Sequence, residues 1–443
     1  MNNDVISSPL PLARRGPLGV FFMVGGIGLA LAGLAATVYR LKEGLGVTHL
    51  GNTVPWGLYV ACYIYFIGLS AGSFLLSSLV FVFGNKSLEP LSRLAVFQAF
   101  VCLILGLVFI FLDLGHWERF WHVIAYPQWH SVLAWEIWFY NAYIVVLVLE
   151  LWFLMRCDLS NWARVTGGSA GKIYRALCFG FRCPQTGGER ERCEHKTLRW
   201  LKILGIIGIP VALGVHGGTG AIFAVVKSRP AWYTPIFPLV FIISALASGG
   251  GLLLFLQVFM APDPKVDRRI LPDVAKLVAG FLIFDLLLLF LEFLVGIYGG
   301  IPDHVRVYRL TTHGPFAWVF WGQQLAIGAA IPLLLIFARP AESKYKTKEL
   351  GIAGFCLFVG IFGVRLNIVI PALAVPVLHG FGTAMDSPRL AALYTPNWVE
   401  WLSSWGVAAT GVLLAYYVMR KLPMREHQPP PGRAVVSKPS LQT

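Results

Sequence analysis

The sequence predicts an all-α polytopic membrane protein with about ten transmembrane helices, because of its composition and the length of its apolar stretches. Hydrophobic residues make up 57% of the 443 residues and charged residues only 13%, a balance typical of chains that fold in lipid. A helix needs about 20 mostly apolar residues to cross the hydrocarbon core. Stretches of that length occur ten times, and helices satisfy the backbone hydrogen bonds that lipid cannot.

The ten predicted spans follow one another along the chain with mostly short connections. They are 18–41, 54–83, 90–115, 131–156, 198–226, 233–260, 272–299, 314–338, 349–378 and 398–420. Basic residues concentrate in alternate connections, and Lys and Arg in short flanking loops accumulate on the cytoplasmic side. Both termini are therefore predicted to be cytoplasmic. This topology also explains the net charge of +14 without nucleic-acid binding, because the basic residues lie along one membrane face.

A weak internal repeat predicts two four-helix bundles flanked by single helices. The second helix runs from Trp56 to the small residues 70–73, and the sixth runs from Trp232 to the small residues 248–251. Small residues let helices approach closely. The predicted units are 1–53, with the first helix, 54–226, the first bundle with a cytoplasmic loop at 157–197, 227–378, the second bundle, and 379–443, the last helix with a disordered cytoplasmic tail.

Cysteines and histidines give little sign of a metal or haem. The cytoplasmic loop holds four of the seven cysteines, at positions 157, 178, 183 and 193, but no C-x-x-C pair, so reduced thiols are favoured over a structural zinc site. Only His216 lies well inside a span, and a bis-histidine haem needs facing histidines on helices. We therefore expect no haem, iron–sulfur cluster or metal site in this chain.

Carboxylates near the outer helix ends are more informative. Asp113 ends the third helix, next to His116, and Glu136 lies in the first turns of the fourth. A flat amphipathic headgroup such as a quinone needs aromatic walls, hydrogen bonds to its oxygens and a protonatable group in reach. The sequence places six candidate wall residues near these acids, namely Trp56, Tyr59, Trp117, His122, Trp135 and Tyr140. An aromatic belt at the membrane interface is the alternative explanation.

Four further ionisable residues lie deeper, in the second half of the chain. They are His216, Asp285, Glu292 and Arg365. Charges inside a membrane normally face protein or water and have partners. We expect Arg365 to pair with Asp285 or Glu292, as a proton path or as an ion pair that only holds the helices together.

Several short motifs occur in the order found in a known family. They are Gly16-Pro17-Leu18, Pro55-Trp56-Gly57-Leu58-Tyr59, Asp113-Leu114-Gly115, Val132-Leu133 followed by Glu136, His216, Arg365, and Tyr394-Thr395-Pro396-Asn397-Trp398-Val399-Glu400. In these the chain resembles the NrfD or polysulfide-reductase-type integral membrane subunits, and among them those of the HybB-type hydrogenases. The long cysteine-containing loop departs from the family pattern, as does the spacing after His216.

The resemblance implies a bacterial or archaeal inner-membrane subunit that exchanges electrons between a quinone, menaquinone or ubiquinone, and a ferredoxin-like iron–sulfur partner outside. That partner would serve a periplasmic catalytic subunit such as a hydrogenase, a molybdoenzyme or a cytochrome. Asp113, His116 and Glu136 would then act at the quinol site, and the deeper residues would form a second polar track. The alternatives are a membrane scaffold, a proton-translocating subunit that does not touch quinone, and a substrate transporter with helices broken at midplane.

Overall fold

The computed structural model describes residues 17–424 apart from 86–87, 186, 262–265, 267–269, 339, 341–345, 379, 381–386 and 388–389. The predicted cytoplasmic tail and the start of the chain, including Gly16, lie outside the described residues. Ten helices in the described part are long and apolar enough to cross a membrane. The predicted fold class, all-α and polytopic, is therefore confirmed.

The ten long helices, α1 to α10, agree with the predicted spans to within a few residues at most ends. Their bounds are Pro17–Glu43 (α1), Leu58–Phe81 (α2), Glu89–Asp113 (α3), Val132–Val165 (α4), Gly187–Ala224 (α5), Phe237–Met260 (α6), Ile270–Tyr298 (α7), Val319–Phe337 (α8), Lys346–Ala374 (α9) and Trp398–Lys421 (α10). Shorter helices cover His122–Ala125, Gly168–Leu177 and Pro302–His313.

The segment 157–197 is mostly helical rather than a loop. Helix α4 continues to Val165 and α5 already begins at Gly187, with the helix Gly168–Leu177 between them. Polar residues hid these extensions from a search for apolar stretches, because charged residues extend a helix readily once it has left the hydrocarbon. The remaining connection is short, and it holds Cys178 and Cys183.

Helix α8 is wound differently from the others. Residues Val319–Ala330 form a π-helix before α8 becomes an ordinary α-helix at Ile331, and π-helical turns occur frequently at functional sites. The helix Pro302–His313 precedes it and begins with Pro302 in its first turn, where the missing N–H costs nothing. Apolar periodicity alone predicts neither feature.

Helix α2 lies at the centre of the molecule, and nearly all of its residues are buried. It packs against α3 and α5 on one side and against α6 and α9 on the other. Helices α1 and α10 pack against each other, with Gly33 facing Gly406 so closely that neither position has room for a Cβ. Much of α1 exposes apolar side chains, as expected for a helix at the lipid boundary.

The small residues predicted to bring α2 and α6 together do meet. A Cβ on Gly72 would lie 1.8 Å from the carbonyl oxygen of Ala245, and one on Gly249 would lie 2.5 Å from the backbone nitrogen of Ser73. The amide of Gln98 on α3 donates to the carbonyl of Gly249 at 3.0 Å and so fixes the crossing from a third helix.

This crossing leads to a stability prediction. Gly72→Leu should lower the free energy of unfolding by at least about 3 kcal/mol, because the added leucine atoms would collide with the backbone of α6. Gly280→Leu is the matched control, since a Cβ on Gly280 meets nothing within 4 Å. Thermal unfolding of the purified protein in detergent measures both. Equal melting temperatures for the two variants would show that the crossing is looser than described.

Consecutive long helices run in opposite directions, so two ends of the bundle can be distinguished. We call the end with His49, His116 and Tyr394 the predicted outer end, and the end with Cys178 the predicted inner end. The names follow the charge-based topology, which stays a prediction.

Candidate functional site

An apolar cavity of about 450 Å³ opens between α2, α3, α8, α9 and α10, and we call it the aromatic cavity. Its volume falls in the range of small-molecule sites. Ten aromatic side chains line it, namely Tyr65, Phe66, Phe109, Phe316, Trp318, Phe358, Phe362, Tyr394, Trp401 and Trp405. Such walls suit a flat ring, which stacks on or packs edgewise against aromatic side chains.

Polar atoms enter the aromatic cavity at a few points only. Gln323, on the π-helix of α8, and Asn367, on α9, line it together with the hydroxyl-bearing Ser404 on α10. The Gln323 amide is held by its bond to the carbonyl of Val359 at 3.0 Å, and the Asn367 amide donates to Gln324 Oε1 at 2.8 Å. A few fixed polar groups in an apolar cavity orient a ligand and provide its hydrogen bonds.

Tyr394 connects this cavity to a buried carboxylate. Its ring lines the cavity, and its hydroxyl donates to Glu400 and accepts from the backbone N–H of Leu58 at 3.0 Å. Burial and the nearby Glu400 raise the pKa of Tyr394, so the hydroxyl keeps its proton and remains a donor. Gly57 has to be glycine, because a Cβ there would lie 2.3 Å from the Tyr394 hydroxyl.

Glu400 is fully buried at the start of α10. Its Oε2 accepts from the backbone N–H groups of His49 and Asn397, both at 3.1 Å. With the Asn397 side chain it forms a capping box, which satisfies free N–H groups of the first turn. Glu400 therefore has both a structural role and a position one hydrogen bond away from the cavity wall.

Asp113 lies beside Glu400 at the predicted outer end. Asp113 Oδ1 is buried without a hydrogen-bond partner, as are Nε and Nη1 of the fully buried Arg40. Arg40 Nη2 donates to the carbonyl of Leu114 at 2.6 Å, and the Tyr59 hydroxyl lies 2.8 Å from Ser403 Oγ. The charges of Asp113, Arg40 and Glu400 interact electrostatically. We call these residues, Arg40, Tyr59, Asp113, Tyr394, Glu400 and Ser403, the outer-end cluster.

Glu136 lies in a separate cluster between α2, α4 and α5. Its Oε1 accepts hydrogen bonds from the hydroxyls of Tyr63 and Tyr140, both at 2.6 Å, and from Thr219. Its Oε2 is buried without a partner, which leaves room in the hydrogen-bond pattern for a water or a proton. The structure thus brings Glu136 and Tyr140 together, as predicted, and adds Tyr63 and Thr219.

The Glu136 cluster is the outer part of a polar seam between α2 and α4. Three hydrogen bonds recur at intervals of one heptad, joining Tyr63 to Glu136 at 2.6 Å, Ser70 to Tyr143 at 3.4 Å and Ser77 to Glu150 at 3.5 Å. The two outermost α2 positions are about 21 Å apart at 1.5 Å per residue. Polar groups therefore follow this interface through most of the membrane thickness.

The predicted ion pair between Arg365 and a carboxylate is not formed. The guanidinium donates to Ser244 Oγ at 2.6 Å and lies 3.3 Å from His216 Nε2, with its face 4.6 Å from the centre of the Phe241 ring. Arg365 faces α5 and α6 rather than α7, so Asp285 attracts it electrostatically without contact. His216 is one turn of α5 away from Thr219, which links this group to the Glu136 cluster.

Asp285 and Glu292 line a second, smaller cavity of about 70 Å³ between α6, α7, α8 and α9. Its polar lining also includes Tyr308, Thr311, Gln324 and Asn367. Asn367 lines both cavities, so the amide pair Asn367 and Gln324 separates the aromatic cavity from the deeper carboxylates.

The match to a known family follows the same order along the chain. The family model described as polysulphide reductase, NrfD, matches residues 46–377. The chain belongs to the NrfD polysulphide reductase family. A selenate reductase subunit of Mesobacillus selenatarsenatis is 40% identical over 90% of this chain and 93% of that protein. The Hdr-like menaquinol oxidoreductase integral membrane subunit of Archaeoglobus fulgidus is 28% identical over 89% of this chain and 90% of that protein. A polysulfide reductase membrane protein of Wolinella succinogenes is 26% identical over 72% of this chain and 94% of that protein.

Other predicted site residues of this NrfD-family protein lie at its surface. His116 bonds to Glu118 at 3.0 Å, the Trp117 indole donates to the carbonyl of Leu41 at 3.2 Å, and the Trp135 indole donates to the carbonyl of Trp129 at 2.8 Å. His122 is exposed and packs against the Trp121 ring, with 4.2 Å between the ring centres. Hydrogen bonds from its own backbone and from His116 lower the pKa of Glu118.

The nine residues predicted to form the quinol site therefore do not converge on one slot. Tyr59 and Asp113 are in the outer-end cluster, Glu136 and Tyr140 are in the polar seam, and Trp56 packs against Phe223 and Trp232. None of the nine lines the aromatic cavity. The physical reason is that Glu136 points inward from α4 to α2 and α5, where tyrosine and threonine hydroxyls already occupy the space.

Sequence reasoning missed Tyr394 and Glu400 as site residues of the NrfD-family protein, although it used both to identify the family. The signal available was a glutamate in the first turn of an apolar helix after Asn397, a pattern that indicates a capping box. Only the fold shows that the Tyr394 motif meets the Gly57 motif, more than 300 residues earlier in the sequence.

Proposed function

We propose that the protein is the quinone-reactive membrane subunit of a respiratory oxidoreductase and that the quinone headgroup binds in the aromatic cavity. The observation that carries the proposal is Tyr394, which lines this cavity and hydrogen-bonds to the buried Glu400. Aromatic walls, fixed amide donors and a carboxylate one hydrogen bond away are what a quinone site requires. The ligand class is menaquinone or ubiquinone, and the name of the Archaeoglobus relative supports a menaquinol.

The residues around the cavity have distinct tasks in this proposal. A bound quinol supplies two electrons together with two protons. Gln323 and Asn367 orient the ring through hydrogen bonds, and the aromatic walls exclude water. Tyr394 passes a proton to Glu400, and Asp113 and Arg40 continue the route to the predicted outer surface. Asp113 thereby keeps the protonation role expected from the sequence, acting through Glu400 instead of touching the ring.

The electrons would leave to a ferredoxin-like iron–sulfur partner at the predicted outer end, and from there to a periplasmic catalytic subunit. Support comes from the segment after α3, which exposes five large aromatic side chains at that end, namely Trp117, Phe120, Trp121, Tyr126 and Trp129. Aromatic residues are enriched in protein–protein interfaces. His116 and His122 are exposed in the same segment and would contact the partner rather than the quinone.

A second candidate function, proton translocation, is favoured by the polar seam. The seam and the group around His216 and Arg365 contain buried carboxylate, imidazole and guanidinium atoms without partners. Buried polar atoms of this kind are costly unless water or a transferred proton satisfies them. In this reading the seam would carry protons from Glu150 at the predicted inner end to Glu136, and Asp285 and Glu292 would extend the path.

A substitution that fills the cavity tests the proposed quinone site. Ala408→Phe places a ring in the aromatic cavity, whose wall Ala408 forms on α10. We expect the KM for quinol to rise at least about tenfold, the effect of losing about 1.4 kcal/mol of binding free energy. The measurement is quinol-linked electron transfer by the complex purified with its partner subunits.

Val412→Phe is the matched control on the same helix, because Val412 is 56% exposed and its side chain faces away from the cavity wall. Its KM should equal that of the unchanged complex. An unchanged KM in Ala408→Phe as well would place the quinone elsewhere and favour a scaffold or proton-translocating role.

A further inference from the structure

Three cysteines from separate segments converge at the predicted inner end. Cys157 lies near the end of α4, Cys183 in the connection after the helix Gly168–Leu177, and Cys193 in the first turns of α5. Their sulfur atoms all lie within 4.8 Å of one another, and the sulfurs of Cys157 and Cys183 are 2.6 Å apart. The fourth cysteine of the segment, Cys178, is not part of this group.

Neighbouring polar groups hold the three cysteines in place. The backbone N–H of Cys183 donates to Ser160 Oγ at 3.0 Å, and Arg164 donates to the carbonyl of Cys183 at 2.5 Å. Thr197 donates to the carbonyl of Cys193 at 2.8 Å. Each of these bonds leaves the sulfur atom free, so the backbone is positioned without occupying the thiols.

The surroundings of the thiols favour a cation between them. Cys183 and Cys193 are buried, at 6% and 9% exposure, and three sulfurs in such proximity have few donors among themselves. Thiolates are soft ligands that prefer Zn²⁺, Cu(I) or iron–sulfur clusters. Three thiolates around one divalent cation leave one net negative charge, and the guanidinium groups of Arg164 and Arg190 interact electrostatically with the Cys183 thiolate.

We propose that Cys157, Cys183 and Cys193 bind one zinc ion as thiolates, with water in the fourth tetrahedral position. Binding releases the three thiol protons to solvent, and neither the metal nor the sulfur changes oxidation state. The site closes the connection between α4 and α5 by joining three segments that share little apolar core. The proposal does not depend on the quinone-reactive function, because it concerns the opposite end of the molecule.

A disulfide between Cys157 and Cys183 explains the structure less well. It would use two of the three sulfurs and leave Cys193 beside it without a role. The charge-based topology also places the group on the cytoplasmic side, where thiols are kept reduced. The absence of a C-x-x-C pair, which argued against zinc from the sequence, loses its force because the ligands come from three different elements.

Zinc content of the purified full-length protein tests the proposal, with inductively coupled plasma mass spectrometry as the measurement. We expect about one zinc per molecule in the unchanged protein, as for other structural sites. Cys157→Ser, Cys183→Ser and Cys193→Ser should each lose most of it. Cys178→Ser is the matched control, being a buried cysteine of the same segment outside the group, and should retain the zinc.

A second measurement uses only the unchanged protein, so it does not depend on the variants folding. A zinc chelator should make Cys157, Cys183 and Cys193 reactive to an alkylating reagent together, while the labelling of Cys178 stays constant. No zinc in the unchanged protein, equal zinc in all four variants, or a Cys157–Cys183 disulfide in protein alkylated at cell lysis would each overturn the proposal.

Discussion

Glu400→Gln is expected to lower the kcat of quinol-linked electron transfer by about 100-fold or more, the typical contribution of a positioned acid or base. Glutamine has nearly the same shape and is accepted at the third position of a capping box, so the start of α10 should remain intact. What is lost is a group that takes the proton passed on by Tyr394. The measurement is steady-state quinol oxidation by the purified complex, with complex assembly checked by size-exclusion chromatography.

Glu118→Gln serves as the control, because Glu118 is an exposed carboxylate at the same end of the molecule. Its activity should equal that of the unchanged complex. Tyr394→Phe should resemble Glu400→Gln, since it breaks the same link between cavity and carboxylate. Full activity in both Glu400→Gln and Tyr394→Phe would remove the outer-end cluster from the proton route.

Glu136→Gln is expected to lower kcat by a similar factor of about 100 while leaving the KM for quinol unchanged. The carboxamide still offers an oxygen to the hydroxyls of Tyr63, Tyr140 and Thr219, but it no longer carries a proton along the seam. Proteoliposomes that report proton uptake and electron transfer separately are the assay. The unchanged KM distinguishes this effect from that of Ala408→Phe, which should act on binding.

Asn141→Leu is the control for this variant, because Asn141 is exposed on the same helix. If Glu136→Gln keeps both proton uptake and electron transfer at full rate, the seam is a structural hydrogen-bond network only. If proton uptake is lost while electron transfer persists, the seam carries protons independently of quinol oxidation, as the second candidate function requires.

The sequence predicted most of the fold, because the lengths of apolar stretches are set by the membrane. The spans, the close contact of α2 with α6 at Gly72 and Gly249, and the burial of Glu136, His216 and Arg365 were all within reach of this reasoning. Buried charge in a lipid-facing composition is a strong signal. It shows which residues need partners, but not which partners they find.

The candidate site was less predictable, because its parts come from helices far apart in sequence. The aromatic cavity needs α2, α3, α8, α9 and α10 in their final positions, and one sequence without the fold gives no pairing between Tyr394 and Gly57. The π-helix that presents Gln323 has no signature in apolar periodicity. Tyr63 and Thr219 were overlooked because single hydroxyl residues in apolar helices are common, and only the contact with Glu136 distinguishes them.

The central claim is that quinone binds between α8, α9 and α10 rather than between the outer ends of α3 and α4. Irradiation of the complex with a photoreactive azidoquinone, followed by peptide mapping, tests this most directly. We predict labelled residues on the cavity wall, within 315–323, 358–370 and 393–408, and loss of that label in Ala408→Phe. Label confined to residues 113–136, with the cavity wall unmodified, would contradict the account.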